Sequence, residues 1–182
     1  MWLNGKEAYL DEKKLIEKAK EGHNLSMNYL LEENYKLLYR YMLKMTGNEE
    51  ITKDMVQETM IKAVSNIKKF RGDSKFSSWL IRIGINTYKN YMKKNKALTE
   101  LLEPYVACSE SLEGQVEKKE QLRAIVKRLC EVKEPDRSIF ILKYYEGYDY
   151  KEIAAITGVN IGTCKSKIHY LINKLRKELE GL

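Results

Sequence analysis

Only 2 prolines and 10 glycines occur in this chain of 182 residues. Turn-rich sandwiches and barrels need such residues at short, regular intervals. Their scarcity, with 43% hydrophobic and 32% charged residues, points to an all-α protein. Cysteine is scarce too: Cys108, Cys130 and Cys164 stand far apart with no CxxC pair, and the chain has 2 histidines. That excludes the usual structural zinc spacings and leaves reduced thiols, with Cys164 packed as a small hydrophobe on a helix. No metal and no cofactor is expected. The N-terminus lacks a long apolar run, and the apolar stretch from Trp79 to Ile85 is interrupted by Arg82. Neither a signal peptide nor a membrane span is expected. No Ser/His/Asp arrangement, phosphate-binding glycine loop or acidic metal cluster is found, and His23 and His169 fall in separate predicted domains. The expectation is a protein that is not an enzyme, any catalysis belonging to a partner.

The net charge of +7 is unevenly distributed, and its clustering is more informative than its size. Asp54, Gln57 and Glu58 share helical spacing and form an acidic and amide edge, with Met55, Ile61 and Val64 expected to turn inward. That edge reads either as a protein-docking face or as ordinary surface. From Lys68 to Lys96 the sign inverts: Lys68, Lys69, Arg71, Lys75, Arg82, Lys89, Lys93, Lys94 and Lys96 stand against the single acid Asp73. A run of this kind attracts phosphate backbone. Phe70, Phe76, Trp79, Tyr88 and Tyr91 interleave with the cations, as stacking of unpaired bases requires. Arg82, Asn86, Lys89 and Lys93 follow i, i+4, i+7, i+11 spacing, one face of a helix that can lie along a duplex. Trp79 is assigned at least partly to the core. Phe70 and Phe76 divide between core and stacking roles, and Gly72 suits a pocket wall because glycine lets backbone approach closely.

Taken in order, the pattern predicts an amphipathic helix from Leu10 to Glu21 with Asp11 as cap. A tyrosine-rich helix follows from about Ser26 to Met45, its tyrosines assigned to packing, and a third from about Glu50 to Ile67. A tight loop through Arg71 to Asp73 leads to a fourth helix from about Ser74 to Asn95. These make a first domain over residues 1–95. Residues 96–115 lose the periodicity and turn acidic, with Pro104 and Gly114 as breakers, and read as a flexible linker. Some twenty residues at about 3.3 to 3.6 Å each reach roughly 70 Å, about two turns of DNA. The linker's acidity fits solvated disorder.

Residues 116–182 read as a second small helical domain. A stripe of Leu122, Ile125, Val126 and Leu129 is followed by an apolar helix from Arg137 to Tyr145. The run Asp149 to Glu152 then resembles a capping box ahead of Ile153 to Ile156. Gly158 turns the chain, and Asn160 can cap a final helix whose buried stripe is Ile161, Cys164, Ile168, Leu171, Leu175 and Leu179. This is a helix-turn-helix pattern. Opposite the stripe lie Thr163, Lys165, Ser166, Lys167, His169 and Tyr170, early enough in the helix to enter a major groove.

Two passages resemble a known family. The Gln57-Glu58 pair, Phe70-Arg71-Gly72, Phe76-Ser77-Ser78-Trp79-Leu80 and Arg82-Ile83 stand at the intervals of the second region of extracytoplasmic-function (ECF) sigma factors, promoter-recognition subunits of bacterial RNA polymerase. Lys151-Glu152-Ile153-Ala154 and Gly162 to His169 resemble the fourth region of the same family. The resemblance implies that Asp54, Gln57 and Glu58 dock on polymerase core, and that Arg71, Ser74, Trp79, Arg82, Asn86, Lys89 and Lys93 bind and open the minus-ten element. It implies that Asn160, Thr163, Lys165, Ser166, Lys167, His169 and Tyr170 read the minus-thirty-five element. Gly84, Ile85 and Asn90 depart from the second-region pattern, and Asn160, Ile161, Cys164 and Tyr170 from the fourth. The implied partners are polymerase core, promoter DNA and an anti-sigma factor, and for the acidic linker the resemblance offers passage through a basic channel of the polymerase as the alternative to solvated disorder. The implied location is the cytoplasm, with attachment to a membrane only through that anti-sigma factor. The alternative is a stand-alone helix-turn-helix regulator, which leaves the aromatic and basic surface of the first domain without a purpose. A nucleic-acid-modifying enzyme would use that surface but lacks catalytic residues.

Overall fold

The structure, a computed structural model, describes residues 5–95, 128–129 and 131–180. The linker assigned to 96–115, Cys108, Cys130 and most of the helix expected over 116–130 lie outside the described residues. Among the described residues every regular element is helical.

The first domain contains α1 (Gly5–Lys20), α2 (Asn24–Thr46), α3 (Glu49–Asn66), a 3-10 turn (Ile67–Lys69) and α4 (Phe76–Lys94). Helix α1 begins before Leu10, so Asp11 lies within it and is not its cap. The boundaries of α2 and α3 follow from local chemistry. His23 Nδ1 accepts the Ser26 N–H at 3.3 Å, and Gly47, at φ 64°, lets its N–H reach Leu43 O at 2.8 Å. Asn48 Oδ1 then accepts the Ile51 N–H at 3.0 Å and opens α3 one residue later, as capping requires. Leu38, Tyr41, Met42 and Met45 of α2 pack with Met55, Val56 and Ala63 of α3 and with Phe76, Leu80, Ile81 and Ile85 of α4. Gly84 is the contact point of α4 with both neighbours: a Cβ there would lie 3.2 Å from Met42 Sδ and 3.3 Å from Leu38 Cδ1 of α2, and 3.8 Å from Thr59 Cγ2 of α3. Not every tyrosine of α2 is a packing residue as expected. Tyr41 is fully buried, but Tyr29 is 52% and Tyr35 43% exposed, the latter stacked on Tyr39.

The second domain contains α5 (Asp136–Tyr144), α6 (Tyr150–Thr157) and α7 (Ile161–Glu180). The capping box forms as expected: Asp149 Oδ1 accepts the Glu152 N–H at 2.8 Å, and Glu152 Oε2 accepts the Asp149 N–H at 3.0 Å. The first of these bonds holds the Asp149 carboxyl below its ordinary pKa. Gly158, at φ 74°, closes α6, and Asn160 Oδ1 accepts the Thr163 N–H at 2.8 Å to open α7. Cys164 and Ile168 are buried in one cluster with Leu129, Ile139, Ile141, Leu142, Ile153 and Ile156, and Leu171, one turn further on, is buried too. Burial pushes the Cys164 thiol pKa up. Ile161 does not belong to the buried stripe; as the first residue of α7 it has no preceding turn to cover it and is 39% exposed.

The two domains touch along α2 and α4 on one side and α5 and α6 on the other. At the centre the Tyr41 hydroxyl and Ser138 Oγ lie 2.8 Å apart. Burial pushes the Tyr41 hydroxyl far above the ordinary range of its pKa. Arg137, 7% exposed, donates to Met45 O and to the Tyr88 hydroxyl. Tyr88, 6% exposed, is therefore part of this junction and not a stacking platform.

Candidate nucleic-acid interface

Helix α4 begins without help from its own sequence: Lys75 at the N-cap makes no side-chain cap bond, and its first turn carries no acid. The exposed N–H groups and the dipole at that end call for an acceptor. Glu12 of α1 supplies it, accepting the Phe76 N–H at 2.8 Å. Sequence patterning gave no sign of this residue, because the pair is 64 positions apart in the chain. Between α1 and the loop lies an open cleft of about 210 Å³, lined by Glu12, Glu17, Lys20, Arg71, Gly72 and Ser74 among others. Gly72 takes φ 81° there, a backbone region that side chains rarely adopt. Replacing Glu12 by alanine is expected to cost about 1 kcal/mol of stability, the scale of a lost helix cap. Glu12→Gln, which keeps an acceptor, should recover most of it; urea unfolding followed by circular dichroism checks both.

The aromatics of this region divide. Phe76 is fully buried and Phe70 is 4% exposed, so both belong to the core. Trp79 is half-buried, its ring 4.9 Å from Phe70 and 5.6 Å from Phe76. Part of Trp79 therefore remains on the surface.

On α4 itself Arg82, Asn86 and Lys93 are exposed and follow one face, as the spacing predicted. Lys89 is at the margin of that face and is engaged by Glu134 Oε2 at 3.1 Å. Arg71 is exposed and Ser74 half-exposed at the mouth of the cleft. The loop and one side of α4 thus form a continuous polar and cationic surface, with Trp79 beside it.

The edge of α3 is broader than the sequence suggested. Asp54, Gln57 and Glu58 are exposed, and Glu58 Oε1 is held by Lys62 at 2.6 Å. Met55 is buried as expected, but Ile61 is 60% and Val64 49% exposed. The reason is angular. Steps of three and four residues from Asp54 lead through Glu58 to Ile61 and on to Ser65, so Ile61 follows the acidic edge and Val64 flanks it, away from Met55. These two apolar residues, expected to turn inward, face solvent instead, although the i+3/i+4 progression was available in the sequence.

On α7, Lys165, Ser166, His169 and Tyr170 are exposed, Tyr170 at 69%. Thr163 is half-buried, and Asn160, exposed, has its side-chain oxygen committed to the helix cap. Lys167 is turned aside: its ammonium lies 2.5 Å from Asp136 Oδ1 of α5. Lys165 stands 5.7 Å from the centre of the Tyr150 ring, and His169 Nε2 meets Asn173 Nδ2 at 3.0 Å.

A helical domain with a cationic helix face and a half-buried indole beside it, followed by a helix-turn-helix domain, defines a DNA-binding transcription protein. The comparisons narrow this class. The Sigma-70 region 2 family model matches residues 30–98, and the Sigma-70, region 4 model matches residues 122–170. The ECF RNA polymerase sigma factor SigW of Bacillus subtilis is 30% identical over 93% of this chain and 97% of its own. The ECF RNA polymerase sigma-E factor of Haemophilus influenzae is 26% identical over 95% and 97%. This chain belongs to the ECF RNA polymerase sigma factor family. Among solved structures, CnrH in complex with the cytosolic domain of CnrY matches with a TM-score of 0.70 at 20% identity, covering 93% of this chain and 97% of that one. The sigma factor RpoE from Bartonella quintana, in complex with the anti-sigma factor NepR, matches with a TM-score of 0.68 at 24% identity, over 88% and 98%. These two support the fold.

Among the described residues no helix is long and apolar enough to cross a membrane, and no group of His, Cys, Asp and Glu side chains could hold a metal ion.

Proposed function

We propose that this sigma factor divides promoter recognition among its three exposed surfaces. The α3 edge of Asp54, Gln57 and Glu58, extended by Ile61 and Val64, docks on polymerase core. The loop and α4 surface, Arg71, Ser74, Trp79, Arg82, Asn86, Lys89 and Lys93, engages the minus-ten element and holds its opened strand. The start of α7, with Lys165, Ser166, His169 and Tyr170 foremost, enters the major groove of the minus-thirty-five element, where Asn160, Thr163 and Lys167 support it. The observation that carries this reading is the surface of α4. Arg82, Asn86 and Lys93 are exposed together beside a half-buried indole and a glycine-bearing cleft, an arrangement suited to backbone contact and base stacking. A stand-alone regulator would not use it.

The chain itself carries no reaction in this scheme; RNA synthesis belongs to the polymerase. An anti-sigma factor is the expected inhibitor, as NepR is bound to the sigma factor RpoE from Bartonella quintana, and the expected location is the cytoplasm. Membrane attachment, if any, comes through that inhibitor.

The docking edge has a direct test. An apolar pair flanked by acids is the usual composition of an interface centre and its rim. Glu58→Lys is expected to weaken binding of purified core at least tenfold while leaving the helical circular dichroism spectrum unchanged. Ile61→Ala with Val64→Ala should weaken it similarly. Retention of core by both variants at wild-type levels in a pull-down would move the docking surface elsewhere.

A further inference from the structure

The 2 histidines of the chain are held in opposite ways. His23 Nδ1 accepts the Ser26 N–H at 3.3 Å, so its ring proton sits on Nε2. His169, exposed on α7, has its Nε2 at 3.0 Å from the side-chain amide nitrogen of Asn173, one turn further along the helix. An amide nitrogen has hydrogens to give and no lone pair to accept with. Nε2 is therefore the acceptor, and the proton of the neutral ring goes to Nδ1. Nδ1 itself has no hydrogen-bond partner among the described residues. Asn173 is half-buried and belongs to none of the surfaces assigned above, yet the i, i+4 step puts Lys165, His169 and Asn173 on one face of α7.

We infer that Asn173 is a positioning residue for base recognition: it fixes His169 as a hydrogen-bond donor at Nδ1, so that α7 selects guanine and rejects cytosine at one position of the minus-thirty-five element. The inference rests on the placement of α7 in the major groove and deepens it. In that groove guanine offers two acceptors, N7 and O6, thymine offers O4 and adenine N7, whereas cytosine offers only its N4 donors. A neutral imidazole free to choose its tautomer can give or take a hydrogen bond, and so tells these edges apart poorly. Fixing the tautomer removes the second option. A donor set against a donor leaves both unpaired on a desolvated surface, and such a mismatch discriminates more sharply than a merely missing contact. Lys165, one turn earlier, is donor-only as well, so the face offers donors at two neighbouring points. No hydrogen bond or ion pair from another helix reaches His169 among the described residues. The charged side chains at helical spacing from it are Lys165 and Arg176, both exposed.

The tautomer is read first, by nuclear magnetic resonance on the full chain with its histidine nitrogens isotopically labelled, which separates a protonated from a bare ring nitrogen. With 2 histidines in the chain, His23→Gln assigns the signals. At about pH 8, where imidazole is ordinarily neutral, His169 should carry its proton on Nδ1 and His23 on Nε2. A proton on Nε2 of His169, as an amide turned to offer Oδ1 would produce, overturns the inference. Base preference is read with polymerase holoenzyme assembled from this chain: a site is selected from duplexes randomised across both promoter elements, then bound with each base pair in turn at each minus-thirty-five position. At the position whose preference His169→Ala abolishes, wild type should bind guanine over cytosine by about fivefold or more, at about pH 8 and about pH 5.5 alike. Asn173→Ala should lose that preference at the higher pH and regain it at the lower, because imidazolium donates from both nitrogens. A preference that Asn173→Ala leaves intact at both, or removes at both, would overturn the role of Asn173. His169→Arg, a donor throughout, should keep the preference with or without Asn173→Ala; its loss in the double variant would show that Asn173 acts on the helix and not through the ring. Lys165→Ala with Ser166→Ala separates the two levels. Weakened binding of the selected site there, with an unmoved preference in Asn173→Ala, defeats only the inference about Asn173; undiminished binding there defeats the placement of α7 in the groove.

Discussion

Alanine at Arg82, Asn86 and Lys93 together is expected to abolish measurable promoter melting while the protein stays folded and bound to polymerase core. The three side chains are exposed on one face of α4 and take no part in the core. From Arg82 to Lys93 the helix rises about 16 Å at 1.5 Å per residue, close to the length of five nucleotides at about 3.4 Å each. The face therefore spans about five nucleotides of an extended strand. Contacts to bases and phosphates are worth about 1 to 3 kcal/mol each, so loss of three can reduce the open population by two orders of magnitude or more. The two lost cations should also lower the salt slope by about 0.7 to 0.9 each. Permanganate reactivity of unpaired thymines, measured with core present, reads melting directly, and co-purification reads docking. Normal melting in the triple variant would dismiss the strand-opening role of α4; loss of core binding along with melting would show that the two surfaces are not separate.

Phe76→Ala is expected to be the most damaging single change to the first domain. Phe76 is fully exposed to nothing but protein: it touches Phe70 at a ring distance of 6.1 Å and Trp79 at 5.6 Å, and its N–H is the one capped by Glu12. Truncating a buried phenylalanine costs about 3 to 5 kcal/mol, the lost transfer energy plus a cavity. That approaches the whole stability of a small domain. The expected result is a thermal midpoint lowered by well over ten degrees, or a first domain largely unfolded at 37 °C, since each kcal/mol moves the midpoint of a domain this size by about 4 to 8 °C. Circular dichroism melting checks it. A surface aromatic used only for base stacking would give an unchanged melting curve and a loss of DNA binding, the opposite pattern.

Helix placement was legible in the sequence because it depends on neighbours a few residues apart. His23, Gly47, Asn48, the Asp149/Glu152 box, Gly158 and Asn160 mark helix ends near where local capping and turn chemistry place them, and the family motifs span both domains. The exposed face of α4 was legible for the same reason: charge at helical spacing has only one side to occupy. What the sequence left open was decided by packing between distant segments. Whether Phe70 and Phe76 face the core or the solvent depends on α1 covering the loop, and the cap on α4 comes from Glu12, which no local pattern connects to Phe76. Ile61 and Val64 have apolar side chains but no opposing helix among the described residues, so they stay exposed beside Glu58 despite their composition. Lys89 and Lys167 carry the charge expected of DNA contacts. Their direction is set by Glu134 and Asp136, acids that fold against them, because an ammonium at the end of a flexible stem turns to the carboxylate within reach.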